Sequence, residues 1–134
     1  VNARYAIRFL KAGLMISDDA VVNLFALAHP GRLNVFRTIV KAGPDGMAAG
    51  KIAAANTIPA NTASTHLSIL TGAGLLTAYR DGRSIIYRAN FTHYAELMGF
   101  LLDEVTENNA EAATALQAFF KDHPAGETPA RAKA

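Results

Sequence analysis

Along most of this chain apolar residues return every three or four positions; in one stretch they return every second position. The first pattern predicts a helix over Asp19–Leu27, with Ser17 and Asp18 placed to cap its start. In "HPGRLNVFRTIVKAG" the stripe continues through Leu33, Phe36, Ile39 and Val40. Pro30 suits the first turn of that helix and Gly43 its end. After the loop "GPDG" comes a short Ala-rich helix, about Ala48–Asn56. "TIPA" turns the chain, and a second short helix follows over about Asn61–Ala73. Two short helices joined by a tight turn read as a helix-turn-helix.

The period then changes. In "LLTAYRDGRSIIYRA", Leu75, Thr77 and Tyr79 alternate with their neighbours, as do Ile85 and Tyr87. Asp81-Gly82 is the expected two-residue turn of a β-hairpin. Helical spacing returns from Phe91 to Val105, where Tyr94, Leu97, Leu101 and Leu102 share a face. "NNAEAATALQAFFKDHP" extends or follows that helix. The expected fold is therefore mainly α with a small β-hairpin (α+β). The divisions are an N-terminal extension (1–16), a central domain (17–106), a C-terminal helical extension (107–123) and a disordered tail (124–134). Two readings of residues 1–16 stand open: an added helix at a subunit interface carrying Tyr5, Phe9 and Ile16, or an upstream extension with little role.

Composition narrows the class. The chain has 134 residues, enough for one domain with a real core, and 51% of them are hydrophobic, which excludes a disordered polymer. No apolar run approaches the roughly 20 residues of a membrane span, and no secretory pattern stands out. The sequence contains no cysteine, so disulfides, thiolate metal sites and thiol redox sensing are excluded; this fits a cytoplasmic location. The net charge of +2 is unevenly spread: Pro30–Asn90 carries seven basic residues against two acids, and Phe91–Glu127 one against seven. A basic module beside an acidic one suggests a polyanion partner for the first, although two ordinary solvated faces would look the same.

Read together, "LAHPGRLNVFRTIV", "STHLSILTGAGLLTAYRDGRSIIYR" and the closing amphipathic helix resemble the ArsR/SmtB group of bacterial winged-helix repressors, over about Val21–Val105. The resemblance implies a winged helix-turn-helix that dimerises through its N- and C-terminal helices and binds double-stranded operator DNA in the cytoplasm. It places Asn61, Thr62, Ser64, Thr65 and His66 on the recognition helix, with His66 either facing DNA or packed. The alternatives are a helix N-cap for Asn61 and a neutral helix residue for Ser64. Arg83 at the wing tip, Arg80 before it and Lys51 in the preceding helix are the phosphate candidates. A two-fold dimer would set two recognition helices about 34 Å apart, in successive major grooves.

Relatives in that group release DNA on binding metal. One family site uses Asp and His near the start of the final helix and His or Glu farther along it. His93, Glu104 and Glu107 match in position and are expected to project from one flank, with water completing a zinc site. Phe91 stands where the group has Asp, however, and solvated helix residues are the preferred reading. No cofactor is expected, and an organic effector or none remains open. No enzyme is expected: His29, His66, His93 and His123 lack metalloprotease spacing, and Ser64 and His66 diverge on their helix. The competing class is a winged-helix module that binds a protein partner through its apolar helices.

Overall fold

The computed structural model describes residues 15, 17–107 and 109–124, so the N-terminal extension and the tail lie outside the described residues except for Met15 and Pro124. The chain divides into two compact units, one up to Phe100 and one from Leu101. The first contains α1 (Ser17–Leu27), α2 (Pro30–Ala42), β1 (Met47–Ala48), α3 (Ala49–Asn56), α4 (Ala60–Gly72), β2 (Leu76–Asp81), β3 (Ser84–Ala89) and α5 (Phe91–Gly99). In the second, α6 spans Ala110–Asp122, with Asn109 capping its start by accepting a hydrogen bond from the Ala112 amide.

Asp18 and Asp19 lie in the first turn of α1, where carboxylates favour the positive end of the helix dipole. Its opposite end is closed by Arg32 of α2. The guanidinium is buried and donates from Nε to the Ala26 carbonyl at 2.7 Å and from Nη2 to that of Phe25 at 3.1 Å. A cation over the last carbonyls of a helix satisfies orphan acceptors and meets the negative end of the dipole. The α2 helix starts with His29 in extended backbone; its Nδ1 accepts hydrogen bonds from the Gly31 and Arg32 amides, and Pro30 follows at the first helical position.

Val35, Phe36 and Ile39 of α2 pack with Ile52 of α3 and with Leu67 and Leu70 of α4 to form the core, which Leu75 and Leu76 close. The three-stranded antiparallel sheet has the order β1-β3-β2. Strand β1 has no counterpart in the sequence pattern, which assigned Ala48 to a helix. Ala48 is extended, and Met47 and Ala48 pair with Tyr87 and Ile86 of β3. Two residues are too few to show a period, so this strand exists only because β3 offers it a ladder.

The hairpin differs from expectation by one residue. Asp81 pairs with Ser84, which leaves Gly82 and Arg83 as the loop instead of Asp81 and Gly82. Gly82 sits at φ 61, and glycine in the first loop position is what a type II′ hairpin asks for. The last helix of the first unit also differs. The sequence predicts one helix from Phe91 to Val105, but α5 ends at Gly99 and Phe100–Glu104 form a π-helical turn. The apolar spacing continues across that turn, so periodicity alone gave no sign of it.

Candidate nucleic-acid interface

The turn between α3 and α4 is set by Thr57, which closes α3 at φ 52 and donates its amide to the Ala53 and Ala54 carbonyls. Ile58 and Pro59 then lead into α4, and Pro59, extended, occupies the cap position without a side-chain bond. Asn61 is therefore inside the helix. Its Oδ1 accepts from the next amide, Thr62, at 2.9 Å, and its carbonyl accepts from Thr65 Oγ1 at 3.1 Å. The N-cap reading of Asn61 does not hold.

Ala63, His66, Leu67 and Leu70 seat α4 on the core. Asn61, Ser64 and Thr65 are exposed on the other side, and Thr62 is half-buried at its edge. Ser68 is exposed as well, seven residues after Asn61 and four after Ser64, and so extends the same polar row by one helical turn. The sequence reading omitted it, although the spacing was there to find it. No acid occurs anywhere from Ala49 to Gly72. A phosphate approaching this face meets no like charge on α3 or α4.

His66 is packed and belongs to the core side of the helix. It is 8% exposed, its ring centroid is 5.0 Å from that of His29, and its Nδ1 has no hydrogen-bond partner among the described residues. Burial, the neighbouring His29 and the Arg32 guanidinium, in that order, hold its pKa below the ordinary histidine value. Enclosed in this way, it packs α4 against the start of α2.

Lys51 is exposed on α3, and Arg80 and Arg83 are exposed at the end of the hairpin. Only the first residue of β2 is buried, while Tyr87 and Ala89 of β3 pack against the core, so the far end of the hairpin stands clear with its arginines exposed. Arg88 of β3 adds another cation. Its guanidinium lies 4.4 Å from the centroid of the Tyr79 ring, and Nη2 donates to Tyr79 Oη at 3.3 Å. Sequence alone gave Arg88 no role, because the contact with Tyr79 is made across two strands.

The metal candidates fall in different units, His93 in the first and Glu104 and Glu107 in the second. His93 turns inward: its Nε2 is 2.9 Å from Oδ1 of Asn23, which is buried in α1, and its Nδ1 is 3.6 Å from Glu96. Glu104 ends the π-helical turn and Glu107 lies beyond it at φ 48. No group of three His, Asp or Glu able to hold a metal occurs among the described residues. No helix among them is long and apolar enough to cross a membrane.

Comparison with known proteins agrees with this geometry. A family model described as a helix-turn-helix domain matches residues 27–78, from the end of α1 into β2. A solved "possible transcriptional regulator for arsenical resistance" is 27% identical, with 72% of this chain and 94% of that one covered at a TM-score of 0.55. The homodimeric winged helix-turn-helix DNA-binding domain of Mb0332 from Mycobacterium bovis is also 27% identical, covering 75% and 87% at a TM-score of 0.55. An ArsR-like transcriptional regulator from Rhodococcus sp. RHA1 shares the fold at 21% identity and a TM-score of 0.56, covering 78% and 92%. No curated protein sequence matches. With its helix-turn-helix in α3 and α4 and its wing in β2 and β3, the chain has a winged helix-turn-helix fold similar to that of ArsR-type regulators.

Proposed function

We propose that the protein is a transcriptional regulator that binds double-stranded operator DNA as a homodimer and works by occluding a promoter in the cytoplasm. The observation that carries this reading is the uncharged polar row of α4 beside a wing bearing Arg80, Arg83 and Arg88. A major groove accepts one such helix, and short amide and hydroxyl side chains suit base edges and phosphate oxygens. Asn61 and Ser64 are assigned to the groove, Thr65 and Ser68 to its edge, and the wing arginines and Lys51 to phosphate.

A single domain makes few base contacts, so a specific operator calls for two copies. The Mycobacterium bovis relative is homodimeric. On this chain Val21, Val22 and Phe25 leave an apolar strip on the outer side of α1, a surface suited to self-association. The same strip is what a protein-interaction module would use, and that is the second reading. No catalytic role is proposed, and thiol-based release is excluded by the absence of cysteine.

The test is a titration of DNA from upstream of the gene at several salt concentrations. Affinity is expected to fall steeply as salt rises, through release of counterions from the phosphates. Arg83→Ala should weaken binding to all sequences alike, whereas Asn61→Ala should change the preference between sites, with about 1–3 kcal/mol of discrimination lost at one position. Parental behaviour in both variants would remove the contact assignments. Absence of any salt-dependent DNA binding would favour the protein-interaction reading.

A further inference from the structure

An apolar crevice between α1, α2 and α5 has no part in reading DNA. Its volume is about 380 Å³, at the small end of the roughly 300–1,000 Å³ of ligand clefts. On the α2 side, Leu33, Arg37 and Lys41 lie four residues apart along one flank, so the wall begins apolar and ends with two cations. Phe36 completes it, and Phe91 and Tyr94 of α5 face it across the gap. None of the lining residues carries a carboxylate. On α5, Glu96 lies against His93, 3.6 Å from its Nδ1.

We propose that this crevice binds a small amphiphilic carboxylate, with its hydrocarbon part among Leu33, Phe36 and Phe91 and its charge at Arg37 and Lys41. Charge separates this occupant from the others at hand. Residues 1–14 carry Arg4, Arg8 and Lys11 and no acid, so that segment would add cations to a cationic edge. A second copy would have to bring an acid to Arg37 and Lys41 to suit this edge. An organic acid supplies both the missing negative charge and the apolar body. Because α2 packs on both α3 and α4, a ligand bound here lies one helix away from the DNA-reading surface. Its role as an effector rests on the function proposed above; the site itself does not.

The experiment is a calorimetric titration of the full chain with octanoate and, in parallel, with octan-1-ol. It is repeated on the Arg37→Gln/Lys41→Gln double variant and on Leu33→Glu, with operator binding measured on the same samples. Octanoate is expected to bind the parent roughly tenfold more tightly than the alcohol. That preference should vanish in the double variant, and Leu33→Glu should lose octanoate binding while keeping its helical signal. The double variant alters two exposed side chains, so it decides the matter even if Leu33→Glu fails to fold. Equal affinity for acid and alcohol, no octanoate binding at millimolar concentration, or an acid preference that survives the double substitution would overturn the proposal. So would octanoate binding that weakens as the protein dimerises, which would give the crevice to a second copy. Octanoate binding without operator binding would remove the regulator reading and leave the site standing; the reverse would remove only the site.

Discussion

Arg32 shows how much one side chain can decide. In sequence it is a basic residue in a basic module, yet its guanidinium is buried and ties the last carbonyls of α1 to the first turn of α2. Arg32→Ala is expected to lower stability by about 2–4 kcal/mol, because a charged donor is lost and a buried acceptor is left unpaired. Chemical denaturation checks this, and a loss below about 0.5 kcal/mol, the size of an ordinary surface change, would contradict the capping role. His66 makes a prediction in pH. Its folded pKa is lowered, so the unfolded chain takes up a proton that the folded chain refuses. Stability should therefore be lost as pH falls from the ordinary histidine range, about 6.5, towards the depressed folded value. His66→Gln should flatten the stability profile in that window, and a variant with the parental slope would show that His66 does not set it.

At the scale of elements, the passage from α4 to the wing depends on Gly74. Its φ is 84, and a Cβ there would lie 3.0 Å from Nε2 of His93. Two demands meet at one residue: a left-handed backbone, which glycine adopts freely, and room for an imidazole ring. Gly74→Ala is expected to cost about 1–3 kcal/mol and to disturb the His93–Asn23 contact that joins α5 to α1. Thermal unfolding measures the first effect and the His93 ring resonances report the second. Gly74 lies within the stretch that carries the sequence resemblance; the imidazole beside the glycine comes from a residue 19 positions farther along the chain.

The whole molecule adds the question of assembly. Val21 and Val22 are 63% and 51% exposed, on the side of α1 away from its buried Ala20, Asn23 and Ala26. If that strip holds the dimer, Val21→Lys/Val22→Lys should leave the fold intact and weaken self-association by about tenfold or more, with operator affinity falling in step. Sedimentation over a dilution series checks it, and an unchanged dimer would move the interface elsewhere. Electrostatics belong to this scale too. The polyanion partner suggested by the uneven charge acquires a place only when the hairpin carries Arg80, Arg83 and Arg88 clear of the core, beside a helix that lacks acids.

Local rules were enough to place most of the helices, the hairpin to within a residue and the order that makes a winged helix-turn-helix, but not the π-helical turn after Gly99. Helical and strand periods, a proline at a helix start and a glycine at a turn act within a few residues of one another, so they can be read in line. Tertiary structure decided which face of each element is covered. It put His66 inside and Ser68 outside, turned His93 towards Asn23, moved the hairpin loop by one residue and gave β1 a partner. Each of those outcomes depends on a neighbour distant in sequence, whether Asn23 for His93, His29 and Arg32 for His66 or β3 for β1. Burial and pairing are properties of the space between elements, and a pattern along one element carries no record of what will lie across from it.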